Sequence, residues 1–342
     1  MVGSAEQSGG GVASVIKQMK QMAIWKKYAC YWLGTQIQRG IWLKLGYALK
    51  SYLIASFRIW RYHIIHFHTV PDRICLIVQL PVLLLALVGK KKIIMHVHMG
   101  NQLAHHTNNF LFKWCLNKAD RIVLLAKKWE ALFKSQYPNV NTPIVVIYNT
   151  CEKGQHVDEC TKDNVIIMAA YMNENKAPDV LLKAWKKIHQ RYQNWRVVMM
   201  GNGRVDYYRE MAYEMGLDGS VDFTGYLSGS AKEEIWNKAS IYVMCSYNEG
   251  FPMVVLEAWA RGVAVVTTPV GGLPDVIVDN ENCLVFPFGD STSLADRLEA
   301  LMRSPAKRHK LTQNGVKLFN NVFSQVSISD QWDALYQMVM NE

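Results

Sequence analysis

Short runs of apolar and β-branched residues alternate along the chain with stretches of helical apolar spacing, the pattern of parallel α/β sheets. In the front half the strand-like runs fall at residues 63–68, 92–98, 121–126 and 143–148. In the back half they fall at 165–169, 196–200, 221–224, 241–245, 263–267 and 284–286. The polar stretch 149–164 separates the halves and reads as a linker. No sequence repeat relates them. Residues 74–89 are almost wholly apolar but contain Pro81, and Lys90-Lys91-Lys92 follow. That run is too short to span a bilayer, so a packed helix between two strands is expected. Residues 331–340 have helical apolar spacing, with Trp332 and Tyr336 expected to pack rather than do chemistry.

The segment from Ser246 to Gly262 reads as a strand end, a tight turn and a helix, with Pro252 suited to the first helical position and Gly262 to the stop. From Phe251 to Ala260 only Glu257 is not apolar. A carboxylate in an apolar helix is costly unless something pairs with it. Glu249 stands eight residues earlier, just ahead of the helix start. Two carboxylates and a set of unpaired backbone N–H groups therefore gather at one spot, and helix N-termini attract phosphate. A nucleotide sugar is the simplest ligand with that layout, its hydroxyls held by the acids and its diphosphate by the amides. The alternative is a Glu257 paired with a buried Arg or Lys and a solvated Glu249.

Charge changes the picture for the front half. Residues 1–150 carry 19 Lys and Arg against 4 Asp and Glu, a balance of +15, and residues 151–342 carry 19 against 24, a balance of −5. A basic front half suits an anionic partner. No nucleic-acid-binding motif is recognisable, which favours the inner leaflet of a membrane. Residues 25–62 mix Trp and Tyr with Lys and Arg (Trp32, Arg39, Trp42, Arg58 and Trp60 among them), and one aromatic and basic helix face is expected there. Seven cysteines without a C-x-x-C pair read as reduced thiols, and no Asp-x-Asp occurs. The polar, glycine-rich start carries no secretory signal, so a cytoplasmic place is expected, peripheral to the inner face of the plasma membrane.

The residues Glu249-Gly250-Phe251-Pro252 with Glu257, followed by Val270-Gly271-Gly272, resemble the donor-binding signature of glycosyltransferase family 4, retaining enzymes of the GT-B fold. The resemblance implies an α/β chain of two Rossmann-like domains facing an interdomain cleft. These are an acceptor-binding domain at 1–155, a nucleotide-sugar-binding domain at 163–325, and a helix at 326–342 crossing back to the first. Glu249 would hold the donor sugar, Glu257 the ribose, and Lys176 with the amides at Met253 and Val254 the diphosphate. Gly10 and Gly11, at a glycine turn opening a helix over 12–22, would face the diphosphate and sugar. His98, at the end of the second strand-like run, matches the family's active-site histidine. His96 shares its face, but no carboxylate or thiol spacing supports a metal pair, and neither metal nor other cofactor is expected. Tyr226, in Phe223-Thr224-Gly225-Tyr226-Leu227, matches the turn near the base.

The chain departs from that pattern twice. The family's Gly-Arg before the lysine is Ala170-Tyr171 here, which removes one phosphate cation, with Arg204 after Gly201-Asn202-Gly203 as a stand-in. Ahead of the first glycine turn stand only Met1-Val2-Gly3, so either the start codon is misassigned or the first strand is mostly absent. The implied activity is transfer of a hexosyl group to a lipid-linked or oligosaccharide acceptor in bacterial cell-surface polysaccharide synthesis. The alternatives are a nucleotide-sugar-binding protein without turnover and a GT-B epimerase.

Overall fold

The computed structural model describes residues 1–6, 10–36, 41–98, 100, 109–154 and 162–342, with backbone alone at 41–43 and 45. Gly9, Arg39, the Trp42 side chain and residues 155–161 of the expected linker lie outside the described residues. Two compact units form: residues 1–150 with 325–342, and residues 151–324.

The first unit runs β1 (Val2–Ser4), α1 (Gly11–Gln21), α2 (Ala23–Lys27), β2 (Leu33–Gln36), α3 (Ile41–Arg58), β3 (Ile64–Thr69), α4 (Arg73–Val88), β4 (Lys92–Val97), α5 (Phe110–Asn117), β5 (Arg121–Leu124), α6 (Lys127–Gln136) and β6 (Ile144–Val146). Its strands are parallel in the order β2-β1-β3-β4-β5-β6. The first strand is present after all. Although only three residues long, β1 pairs with both β2 and β3, so β3 keeps its inner ladder partner. The single aromatic and basic helix face expected over 25–62 does not form, because β2 interrupts it. The apolar run at 74–89 is α4, with Pro81 inside and Asp72 capping it by accepting from the Cys75 N–H at 3.0 Å.

The second unit runs β7 (Val165–Ala169), α7 (Pro178–Ile188), β8 (Arg196–Met200), α8 (Val205–Glu214), β9 (Val221–Gly225), α9 (Gly229–Lys238), β10 (Ala239–Met244), α10 (Met253–Ala260), β11 (Ala264–Thr267), β12 (Leu284–Val285), α11 (Ser291–Met302) and α12 (Pro305–Leu318). This sheet too is parallel, ordered β12-β11-β10-β7-β8-β9. Its strands are near-continuous apolar runs because helices cover both faces. Helix α7 has Pro178 at its first turn and buries Val180, Leu181, Ala184, Trp185 and Ile188 in the core of the unit. The Trp185 indole N–H donates to Ser220 Oγ at 2.9 Å, which satisfies its buried polar end.

The last helix, α13 (Gln325–Asn341), belongs to the first unit, with Trp332 and Tyr336 buried and Asp333 paired to Lys27 at 2.6 Å. Six described cysteines are free thiols. Among the described residues no helix is long and apolar enough to cross a membrane.

Candidate donor site

The strand order of the second unit reverses between β7 and β10. Ligands of open parallel sheets bind outside the carboxyl ends of the strands at such a reversal. The two loops leaving those strand ends carry Lys176 and Glu249, and their side chains form an ion pair. Sequence distance hides this pairing; the β7·β10 ladder produces it.

Asn175 locks the two loops together. Its side-chain N–H donates to the Asn248 carbonyl at 3.0 Å, and its side-chain oxygen accepts from the Asn248 N–H at 3.1 Å. The Tyr247 N–H adds a bond to the Asn175 carbonyl at 2.8 Å. Upstream, the Asn173 side chain accepts from the Lys176 N–H at 3.0 Å, which turns the chain toward α7.

Glu249 is braced from the other side by the turn after β11. Gly271 has φ of +66°, and a Cβ there would lie 2.9 Å from both the Cβ and the carbonyl oxygen of Glu249. The Gly272 N–H donates to the Gly250 carbonyl at 2.9 Å. Only a residue without a side chain allows this approach.

Pro252 stands at the N-cap of α10 rather than at the first helical position, and no side chain caps the helix. The first-turn amides of Met253 and Val254 therefore have no intrahelical acceptor. Phe251 and Pro252 are buried and fix the entry of the chain, whereas Gly250, Met253 and Val254 are half-buried. Gly262, with φ of +63°, ends the helix as its sequence suggested.

Glu257 is not sealed in the core. Its side chain is 16% exposed, and Lys232 of α9 reaches it at 2.6 Å. A second clasp joins the same helices: the buried Arg261 guanidinium donates to both oxygens of Glu233, at 2.6 and 3.2 Å. The expectation of a paired Glu257 therefore holds, but its lysine partner is 30% exposed rather than buried. Lys232 had no signal in the sequence, because it sits in a polar helix 25 residues from its partner.

The departure at Ala170-Tyr171 is structural as well. Tyr171 is exposed. Arg204 pairs with Glu174, and its guanidinium lies 4.2 Å from the Tyr207 ring centre, so it is already engaged. The loop carrying it packs tightly on the Ala170 segment: a Cβ at Gly201 would meet the Ala170 carbonyl oxygen at 1.8 Å. Tyr226 is exposed just after Gly225, whose φ is +69°.

The other sequence-derived residues lie in the first unit. Gly10 is the N-cap of α1 with φ of +119°, and a Cβ at Gly10 or Gly11 would meet no atom within 4 Å. His98 follows β4; its Nε2 lies 2.9 Å from His68 Nδ1, and its ring lies tilted by 40° against that of His96 with centres 4.1 Å apart. Burial pushes the His98 imidazole down to about 3, so it is neutral at pH 7. Burial also holds His66, His68 and His96 well below the ordinary histidine range.

Comparison with known proteins supplies an independent view. Residues 152–318 match the family described as Glycosyl transferases group 1. Among curated proteins, D-inositol 3-phosphate glycosyltransferase of Corynebacterium efficiens is 30% identical over 179 residues, covering 50% of this chain and 42% of the relative. A Campylobacter jejuni enzyme is 25% identical over 214 residues, covering 61% of this chain and 58% of the relative. It is described as an α-1,4-N-acetyl-D-galactosaminyltransferase acting on a GalNAc-containing diNAcBac-PP-undecaprenol. The chain thus spans about half the length of the curated relatives it matches. The crystal structure of Anabaena HepE in complex with UDP superposes with a TM-score of 0.77 at 16% identity, covering 98% of each chain.

Proposed function

Starting from a second unit that belongs to the group 1 glycosyl transferases, in a chain of the GT-B fold, we propose that this protein moves a hexosyl group from a nucleotide sugar to a saccharide acceptor with retention of anomeric configuration. The observation that carries this reading is the convergence of Lys176 and Glu249 at the β7/β10 reversal, with the uncapped start of α10 close by in sequence. In this reading the half-buried Lys176–Glu249 ion pair is the resting state of the donor site. An incoming diphosphate competes for the Lys176 ammonium, and sugar hydroxyls take the Glu249 carboxylate.

In this reading Lys176 and the Met253 and Val254 amides stabilise the leaving diphosphate, the electrostatic task a metal performs elsewhere. The donor site then needs no metal. Glu257 holds the ribose hydroxyls and exchanges its contact with Lys232 for them. Gly250, Phe251 and Pro252 shape the turn that presents these groups, and Tyr226 lies toward the base. Within the first unit, the resemblance gives Gly10, Gly11 and His98 the part of handling the transferred sugar.

The acceptor is a lipid-linked saccharide in cell-surface polysaccharide assembly, met at an anionic membrane surface. Support comes from the +15 balance of residues 1–150 and from the exposed apolar side chains of α3 and α4, among them Leu53, Phe57, Ile77 and Val88. The undecaprenol-linked substrate in the description of the Campylobacter relative agrees with it. A second reading, donor binding without turnover, is favoured by Tyr171 in place of a cation and by the engagement of Arg204 with Glu174.

Thermal denaturation with UDP-, GDP- and ADP-sugars tests the donor assignment, with the UDP compounds first because the Anabaena structure holds UDP. One nucleotide class should raise the midpoint, and Glu257→Ala should abolish the rise. Product formation from a labelled donor separates the transferase from the binding protein.

A further inference from the structure

Four histidine rings crowd the carboxyl ends of β3 and β4, and the donor chemistry uses only one of them. His66 and His68 lie on one face of β3, and the register places His96 beside His68. One ring nitrogen from each of His66, His68 and His96 lies within 4.8 Å of the others, the one such group among the described residues. All three side chains are buried.

The hydrogen bonding is one-sided. His66 Nδ1 lies 2.8 Å from the Tyr336 hydroxyl, and His68 Nδ1 lies 2.9 Å from His98 Nε2. Those contacts fix each ring by one nitrogen. The Nε2 atoms of His66 and His68 and both ring nitrogens of His96 are buried without a hydrogen-bond partner. A buried polar atom without a partner costs about 1–3 kcal/mol. With each ring neutral, one nitrogen of each of the three histidines can present a lone pair to a common partner, and the second His96 nitrogen carries its N–H.

We propose that His66, His68 and His96 form a binding site for a divalent transition metal of the zinc class. Three histidine nitrogens with a fourth position open are an established zinc donor set. Tetrahedral Zn–N bonds of about 2.05 Å put ligand nitrogens about 3.4 Å apart, so no separation here needs to close by more than about 1.4 Å. His96 can supply that movement by ring rotation, since neither of its nitrogens is held. Tyr336 and His98 occupy the outer positions that orient ligating imidazoles. Hard cations such as Mg²⁺ prefer oxygen ligands, and this set has none. With no carboxylate or thiolate among the three, affinity should be lower than at a cysteine-rich structural zinc site. None of the three ligands is assigned to the donor, but His98 serves both readings through its contact with His68, so the metal is tested by binding rather than by turnover.

Titration of the full chain with Co²⁺ and then Zn²⁺ tests it, using protein made without a histidine tag and stripped with chelator. One Co²⁺ per chain should bind with the visible absorption of a four-coordinate ion, be displaced by one equivalent of Zn²⁺, and ignore Mg²⁺. His66→Gln and His96→Gln should each weaken binding at least about 10-fold. Because either variant could misfold, Trp332 gives a second readout, its ring centre lying 4.8 Å from His66 and 5.1 Å from His96. Bound Co²⁺ should quench its emission in the wild type, and Trp332→Phe should lose that quenched fraction while still binding the ion. A chain that takes up no stoichiometric Co²⁺ overturns the proposal. So does binding that persists unchanged in both histidine variants, or binding that leaves Trp332 unquenched.

Discussion

Asn175 and Asn248 hold each other through two hydrogen bonds, side-chain amide to backbone, at 3.0 and 3.1 Å. Each is one residue from a partner in the Lys176–Glu249 ion pair. The amide clamp converts two loops from separate strands into one rigid presenting surface, and preorganisation of that kind is what electrostatic catalysis requires. Asn175→Ala should therefore reduce donor turnover without removing any group that touches the donor. A kcat/KM series with Asn175→Ala beside Asn175→Asp measures it, and full activity in the alanine variant would show that the clamp is dispensable.

Lys176→Ala removes a charge-assisted hydrogen bond to the diphosphate, worth about 1.5–3 kcal/mol. Donor Kd should rise roughly 10- to 150-fold. Glu249→Ala and the double variant complete a cycle, because removing either partner also frees the other. Coupling between the two substitutions should be visible in donor affinity, measured by calorimetry.

Tyr171→Arg restores a cation at the position where the resembling family carries one. If the diphosphate sits at the start of α10, the variant should bind donor about 10-fold or more tightly. Unchanged affinity would mean that position 171 lies away from the phosphate.

Gly271→Ala places a Cβ 2.9 Å from the Glu249 Cβ on a backbone with φ of +66°. The strain should cost on the order of 1–3 kcal/mol of stability and displace Glu249. Turnover should fall by more than the loss of folded protein explains, which is checked by comparing activity with the fraction folded in a urea series.

Membrane association of the first unit should depend on anionic lipid. Lys90 and Lys91 follow α4 with its exposed apolar residues, and each basic group near an anionic surface contributes about 1 kcal/mol. Co-sedimentation should be strong with phosphatidylglycerol vesicles, weak with neutral ones, and lost in high salt. Equal binding to neutral vesicles would contradict the charge argument.

The buried parallel strands of the second unit were the most legible elements. The runs at 165–169 and 196–200 coincide with β7 and β8 because strands covered on both faces are apolar throughout. β1 and β2 were missed for the opposite reason. Each carries a glycine that lets another segment approach: a Cβ at Gly3 would meet Ile16 Cδ1 at 2.7 Å, and one at Gly34 would meet Ala5 Cα at 2.8 Å. Close packing against a strand and a turn signal look alike in one dimension. Among the site residues, the signature around Glu249 and Glu257 was visible because it is local. Lys232 was not, since helix pairing brings it to Glu257; of the histidines the sequence put His96 and His98 on one face without supporting a metal pair, and only strand register brings His66 and His68 beside them.

The central claim is that Glu249, Glu257 and Lys176 grip an activated sugar through its diphosphate and hydroxyls, without a metal at that site. Calorimetric titration of the full chain with a nucleotide-sugar panel, in EDTA and again with Mg²⁺, tests it most directly. The expected result is saturable one-to-one binding of one donor class, equal in both buffers and weakened at least about 10-fold by Glu257→Ala. Binding that appears only with Mg²⁺, or that survives Glu257→Ala and Lys176→Ala undiminished, would contradict it.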